Sequence, residues 1–386
     1  MKLLVVSHSC ATAANQRLYG ELAALTGWNI RLIIPAFWKD EFGNALDEAP
    51  WQELSGKVEK VPVLANGNII LHAYRRRWKA FLAREKFDAI YVNHEPYAIA
   101  TGQICLANLR QAHPAAFGFY SCQNIRKNYP FPFSSLEKMV YRHSGFAFPI
   151  TPAVADVLRE KGYQGRSTVC ALPLDPDHYS PRGSQAGHAL VPRAPGETII
   201  GFVGRLVEPK GLRTLAAALH EIRDLPWKLV LIGTGEFESG FRALMEGQGL
   251  ASRTEYLGYV PHDETPRYLS AFDILVLPSE TQPNWKEQFG RVITESLACG
   301  TAVIGSDSGE IPNLIRASGG GLVFPERDAK QFAAALRAMI EDPALRQTCS
   351  ETGRRWTCDH VSLQAIAQQM AATIQQATET DATKNS

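Results

Sequence analysis

The chain has 386 residues, 45% of them apolar and 20% charged, with a formal net charge of +1. This length and balance exclude a disordered chain and a single small module, and they fit two soluble globular domains. No run approaches the ~18 consecutive apolar residues of a membrane-spanning helix. The seven scattered cysteines include no CxxC pair, which excludes a cysteine-framed zinc site or a disulfide scaffold and fits a reducing compartment. Met1–His8 turns polar too soon for a signal peptide, so a cytoplasmic protein is expected.

Strands and helices alternate along the chain. Leu3–Ser7 reads as a buried strand, followed by the loop His8–Ala14 and a helix over about 15–25. Asn29–Ile34 is the next strand, residues 38–57 read as an irregular excursion, and a basic helix is expected over 73–86. Ala89–Val92 is a strand that ends in Asn93-His94-Glu95-Pro96; a helix reaches about Arg110, and Phe117–Tyr120 is a strand again. Helix 134–143, strand 145–150 and helix 152–162 continue the pattern. Pro181–Pro195 is rich in Gly, Pro, Ser and Ala without periodicity and reads as a linker. Strand Thr198–Val203 restarts the alternation, with helix 211–222, strand 228–232, helix 236–247, strand 254–257, helix 264–271 and strand 273–277. Final helices are expected over about 328–340, 344–357 and 361–376, with 378–386 a polar, disordered tail. The alternation predicts an α/β fold of two doubly wound, mainly parallel sheets, one in each domain.

Ligands of such sheets bind at the carboxyl ends of strands, and the polar loops fall there: His8–Ala14, His94–Pro96, Ser121–Asn124, Gly204–Gly211, Gly233–Gly235, Gly258–Val260 and Ser279–Gly290. The last is the richest. A strand end leads through Pro283 into a helix with Val292, Ile293, Leu297 and Ala298 on its apolar face and Gly300 as its C-cap. Backbone N–H groups at Phe289, Gly290 and Arg291 can point at an anion. Glu287 and Glu295 flank them, eight positions apart, about 12 Å along a helix axis. A carboxylate accepts at both oxygens and can bind a vicinal diol. The stretch therefore offers two diol readers around a phosphate cradle, or else two solvated glutamates on an ordinary amphipathic helix.

Glu287-x7-Glu295 with Phe289-Gly290, then Ala298-x-Gly300-Thr301-Ala302-Val303-Ile304 and Gly309-Glu310-Ile311-Pro312, resembles the donor-site signature of retaining GT-B glycosyltransferases of the family-4, group 1 type. The likeness extends upstream to Gly201-Phe202-Val203-Gly204-Arg205-Leu206-Val207-Glu208-Pro209-Lys210-Gly211 and covers most of the second half; the first half resembles the family more weakly. The resemblance implies two Rossmann-like domains facing a cleft. An acceptor-side domain would cover 1–185 and a nucleotide-sugar domain 190–358, with a helix over about 360–377 crossing back. It implies that Arg205 and Lys210 neutralise the donor diphosphate, that Glu287 and Glu295 hold the sugar and the ribose, and that Gly204, Gly233, Gly235, Phe289, Gly290, Arg291, Tyr259 and Val260 line the donor. Where many members carry Gly-Gly after the first strand, Ser9–Asn15 has no glycine, so Asn15 or Thr12 would bond the donor through side chains instead. Where members often carry a histidine after the strand equivalent to Phe117–Tyr120, this chain has Ser121-Cys122-Gln123-Asn124, which leaves His94 with Glu95 as the most chemical-looking pair of this half. His94 is thus expected either at the reacting groups or as a structural loop histidine, with Glu95, Asn15, Gln123 and Asn124 on the acceptor side.

The expected activity is transfer of a sugar from a nucleotide diphosphate sugar to a hydroxyl, on a glycan or lipid-linked glycan of surface polysaccharide. No cofactor, no metal and no nucleic-acid partner are expected. A same-fold epimerase or phosphorylase and a non-catalytic sugar-binding protein are the alternatives. Charge adds one further expectation. Residues 51–145 carry 13 basic against 6 acidic side chains. Arg75–Lys86 combines Arg75, Arg76 and Arg77 with Trp78, Phe81 and Leu82, a pattern that suits peripheral contact with an anionic leaflet or packing on the protein's own sheet.

Overall fold

A computed structural model describes the chain except for residues 40–44, 47, 55, 184–186, 188, 385 and 386. It divides into two compact units, Met1–Pro173 with the segment from Leu363 onward, and Leu174–Ser362. The strands, in chain order, are β1 Lys2–Val6, β2 Asn29–Pro35, β3 Trp38–Lys39, β4 Ala45–Leu46, β5 Val58–Val61, β6 Val63–Leu64, β7 Ala73–Tyr74, β8 Ala89–Val92, β9 Ala116–Ser121, β10 Phe146–Pro149 and β11 Arg166–Ser167 in the first unit. The second unit has β12 Thr198–Val203, β13 Trp227–Ile232, β14 Thr254–Gly258, β15 Ile274–Leu277, β16 Ala302–Ser306 and β17 Gly321–Phe324.

The first sheet runs β11-β10-β9-β8-β1-β2-β5 and the second β14-β13-β12-β15-β16-β17, every pairing parallel. Parallel strands are covered on both faces, which is why they read as unbroken apolar runs. In β1, Leu4 and Val6 point into one core and Leu3 and Val5 into the other, as the two-residue period of a strand requires. The strand order reverses between β1 and β8 in the first unit and between β12 and β15 in the second. At such a point neighbouring loops diverge to opposite faces and leave a crevice. The loops after β1, β8, β12 and β15 are four of those singled out in the sequence.

The unit boundary lies at Pro173/Leu174, earlier than 185; of the stretch read as a linker, residues 184–186 and 188 lie outside the described residues, and the described remainder belongs to the second unit. Val191 is fully buried, and Arg193 pairs with Asp273 at 2.7 Å. Low complexity concealed one apolar anchor and one ion pair. The final helix, Leu363–Lys384, returns to the first unit, where Ile366, Met370 and Ile374 bury against Tyr19 and Leu22. It also takes up most of the tail expected to be disordered. Thr378 and Thr380 hydroxyls bond the carbonyls of Ile374 and Gln376, and with no Gly or Pro to stop it an anchored helix propagates cheaply.

The basic segment differs from expectation too. Ala73–Tyr74 is a strand of a small hairpin with Val63–Leu64, and the helix spans only Trp78–Glu85. Trp78, Phe81 and Leu82 are all buried in the first unit's core, so this face is not available to a lipid leaflet. Arg76 is drawn in with them, 2.6 Å from Glu59 and stacked over the Phe81 ring. Arg75, Arg77, Lys79 and Arg84 stay exposed. No helix among the described residues is long and apolar enough to cross a membrane.

Candidate functional site

In the second unit the loop after β12 carries Gly204, Arg205 and Lys210. Lys210 Nζ is 2.6 Å from Glu287 Oε2, and the Ser279 hydroxyl donates to the same oxygen at 2.9 Å. The ammonium also sits 5.2 Å above the centre of the Trp285 ring, so Trp285 packs the cation from one side. Arg205 is exposed and, among the described residues, has no side-chain partner. Glycines let these loops converge. A Cβ on Gly233 would lie 2.0 Å from the Gly204 carbonyl oxygen, so the loops after β12 and β13 meet backbone to backbone. A Cβ on Gly309, which has φ +58°, would lie 2.0 Å from the carbonyl oxygen of Glu287. That carbonyl accepts from the Glu310 amide at 3.2 Å, so the loop after β16 props the backbone that carries Glu287.

The helix expected after Phe289 begins at Arg291, with Gly290 as a left-handed N-cap and no side chain capping the first turn. The Ile293 amide bonds the Gly290 carbonyl at 2.8 Å, and no side chain caps the amides of Arg291 and Val292, which can meet water or an anion. Only the steps from Arg291 onward are helical, so the 12 Å figure for a wholly helical interval does not describe the Glu287–Glu295 separation. Phe289 is buried, whereas Arg291 is exposed. Glu295 is 5% exposed; its Oε1 is 2.8 Å from Arg291 Nε and accepts from the Tyr179 hydroxyl at 3.2 Å. Burial raises its pKa, and the Arg291 charge opposes that rise. Tyr179 Oη is also 2.9 Å from His262 Nε2, and burial, reinforced by Arg291, holds His262 down at about 4. Tyr179 and His262 were not singled out in the sequence; their types carry no motif there, and only the fold brings them to Glu295. Gly235 closes the turn after β13, and Tyr259, after β14, is 72% exposed with Val260 half-buried beside it.

In the first unit the glycine-free loop after β1 is held by its own side chains. Asn15 Nδ2 donates to the Ser9 carbonyl at 2.7 Å and Gln16 Nε2 to the Cys10 carbonyl at 2.8 Å. The Asn15 amide nitrogen is thus committed to the loop, and Thr12 is half-buried at the junction of two short 3-10 turns. Glu95 points inward. One oxygen accepts from the Cys122 amide at 2.7 Å and the other from the Ser121 hydroxyl at 2.8 Å, which ties the end of β8 to the end of β9. Burial raises its pKa despite those donors. Gln123 Nε2 donates to the Ile125 carbonyl at 2.9 Å, and Asn124 is buried.

His94 is 1% exposed. Its ring stacks on His8 at 4.6 Å between centroids, the two Nδ1 atoms lie 2.7 Å apart, and His72 packs tilted against both, 4.6 Å from His94 and 5.5 Å from His8. Burial holds all three imidazoles in the neutral form: His8 falls to about 3, His94 well below its ordinary value, and His72 lower too. No metal-ligand constellation was visible in the sequence, yet one nitrogen from each of His8, His72 and His94 lies within 4.8 Å of the others. The three positions are too far apart in the chain for any ligand spacing to show.

Residues 189–356 match the family model described as glycosyl transferases group 1. The 2-deoxystreptamine glucosyltransferase of Streptomyces kanamyceticus is 24% identical over 76% of this chain and 76% of that enzyme. The lipopolysaccharide core biosynthesis glycosyltransferase LpsE of Rhizobium meliloti is 31% identical over 44% of this chain and 47% of its own length. Among solved structures, sucrose-phosphate synthase from Thermosynechococcus elongatus matches with a TM-score of 0.73 at 21% identity, over 98% of this chain and 100% of that one. Anabaena HepE in complex with UDP matches with a TM-score of 0.72 at 18% identity, over 97% and 100%. Two parallel-sheet Rossmann-like units with these neighbours define the GT-B class of fold. Residues 189–356 thus carry a glycosyl transferases group 1 domain, and with glycosyltransferases among the relatives this supports a transferase enzyme.

Proposed function

We propose that the protein transfers a sugar, with retention of anomeric configuration, from a uridine diphosphate sugar to a hydroxyl of a glycan or lipid-linked glycan. The observation that carries this reading is the buried Glu295 carboxylate on the helix whose uncapped N-terminus follows Gly290. An acid is retained there at a desolvation cost, a few residues from a first turn that no side chain caps. A nucleotide's ribose diol and diphosphate match that pair of features. Anabaena HepE, with the same fold, has been solved in complex with UDP and with UDP-glucose.

In this reading Glu295 accepts the ribose hydroxyls in place of Arg291 and Tyr179. Arg205, Lys210 and the amides at Gly290 and Arg291 neutralise the diphosphate as it leaves, and Glu287 holds hydroxyls of the transferred sugar. Gly204, Gly233 and Gly235 let backbone approach the donor, and Tyr259 and Val260 meet the base. The acceptor hydroxyl attacks on the face from which the diphosphate departs and passes its proton to a donor phosphate oxygen, so positioning and charge supply the rate without a protein nucleophile. The acceptor is assigned to the first unit, whose exposed Arg75, Arg77, Lys79 and Arg84 would give salt-sensitive peripheral contact with an anionic inner leaflet. Calorimetry with UDP, followed by NMR of the anomeric proton in the product from a panel of UDP-sugars, tests the reading. UDP binding with a retained anomeric centre is expected; absence of UDP binding, or inversion, would overturn it.

A further inference from the structure

We propose that His8, His72 and His94 bind one divalent transition-metal ion of the zinc class, which ties the hairpin of β6 and β7 to the ends of β1 and β8. The three imidazoles come from three separate segments, and one nitrogen from each lies within 4.8 Å of the others. Four-coordinate zinc with ligand bonds of 2.0–2.1 Å needs nitrogens about 3.3 Å apart, so modest ring rotations close the set.

The hairpin presents His72 in a fixed state. Asn68 Oδ1 accepts from the amides of Ile70 and Leu71 and turns the chain, and the carbonyls of Asn68 and Ile69 lie 3.0 and 3.1 Å from His72 Nδ1. A carbonyl only accepts, so Nδ1 carries the proton and Nε2 is a bare lone pair. That Nε2 is buried without a partner, as is Nε2 of His94. Two unpaired ring nitrogens, on neighbouring imidazoles in a packed interior, are a costly arrangement that a bound cation would relieve. A ligand imidazole that donates its other N–H to a backbone carbonyl is also the usual outer-shell support of a metal-bound histidine. Trp38 packs on His8 at 4.9 Å and on His72 at 5.0 Å and covers the cluster, while half-buried His8 leaves a way in. Three nitrogen ligands suit Zn²⁺, with Co²⁺ as a spectroscopic substitute, and leave a fourth position for water.

The inference stands apart from the nucleotide reading, which concerns the second unit. The test uses the full chain without an affinity tag, stripped with a chelator and titrated with Zn²⁺ and with Co²⁺. Expected are one equivalent bound, the visible absorption of tetrahedral Co²⁺, and a Tm rise of roughly 5 °C at Zn²⁺ well above Kd. His72→Gln should weaken Zn²⁺ by at least about 10-fold and abolish the Co²⁺ spectrum, with far- and near-UV circular dichroism of the metal-free protein unchanged as proof of folding. His113→Gln, at an exposed position, should change nothing. Should His72→Gln not fold, His8→Gln replaces it with the same expectation. No metal binding by the wild type, or an equal Tm shift and spectrum in His72→Gln or His8→Gln, would overturn the proposal.

Discussion

Lys210 Nζ and Glu287 Oε2 stand 2.6 Å apart, and this pair joins the loop after β12 to the loop after β15 at the point where the strand order of the second sheet reverses. Both side chains are mostly buried, so each helps compensate the other's charge, and in the proposed reading a diphosphate arriving at Lys210 competes with Glu287 for it. The resting protein thus holds the proposed anion-binding cation on an internal carboxylate.

Glu287→Ala removes that competitor. UDP affinity is expected to stay within about threefold of wild type or to tighten, while kcat/KM for transfer falls by about tenfold to a hundredfold, the worth of one charge-assisted hydrogen bond to the sugar. Lys210→Ala should weaken UDP itself by a similar factor. Calorimetry with UDP beside transfer kinetics separates the two; equal loss of UDP affinity in both variants would refute the division of roles.

Glu295→Ala should weaken UDP and UDP-sugar alike by about tenfold to a hundredfold, because every nucleotide ligand shares the ribose. Loss for the UDP-sugar alone would move Glu295 to the sugar end of the donor.

Stability should respond in the opposite direction. Burial raises the pKa of Glu295 above 4.5, so the native state binds more protons than the unfolded chain. The contribution of this group to ΔG of unfolding therefore falls as pH rises from 4.5 through the raised value, and burying the carboxylate costs stability at pH 7. Glu295→Gln keeps the shape and removes the charge. The variant should melt higher at pH 7, by about 2–4 °C per kcal/mol regained, with the advantage shrinking toward pH 4. A lower Tm for the variant at pH 7 would show that the Arg291 pair outweighs desolvation.

Gly309→Ala places a methyl group against the Glu287 carbonyl at a left-handed φ. Backbone strain of about 1–2 kcal/mol is expected in urea unfolding, and transfer should fall further than the stability loss accounts for, because the displaced backbone carries Glu287. Unchanged kcat/KM would show that the loop after β16 does not position that carboxylate.

Arg75→Glu with Arg77→Glu should reduce flotation with anionic vesicles at low salt, by about 1 kcal/mol per charge, and wild-type binding should vanish at high salt. Binding that persists at high salt would require an inserted apolar surface, which Trp78, Phe81 and Leu82 cannot supply from the core.

Much of the fold was legible in the chain itself. Buried parallel strands are apolar along their whole length, and helices declare themselves by period and by glycine caps, so the alternation of elements and the polar loops at strand ends could be read without coordinates. The residues proposed for the donor site could be picked out because they lie within short stretches whose order the backbone fixes: Arg205 to Lys210, Glu287 to Glu295, Gly309 to Glu310. Contacts across the fold were not. Tyr179 and His262 reach Glu295 from distant loops, and His8, His72 and His94 meet only because β1 and β8 are neighbours in the sheet and Asn68 turns the hairpin toward them. The face of Trp78, Phe81 and Leu82 illustrates the same division. Local periodicity determined that these residues share one side of a helix, but whether that side meets lipid or the protein's own core depends on what packs against it. Val191 and Arg193, in a stretch that reads as a linker, are likewise buried and paired by partners far away in the chain. Periodicity and caps act within a few residues, whereas burial, ion pairing and ligand clusters are set by which distant segments the sheet order brings together, and that is decided only in three dimensions.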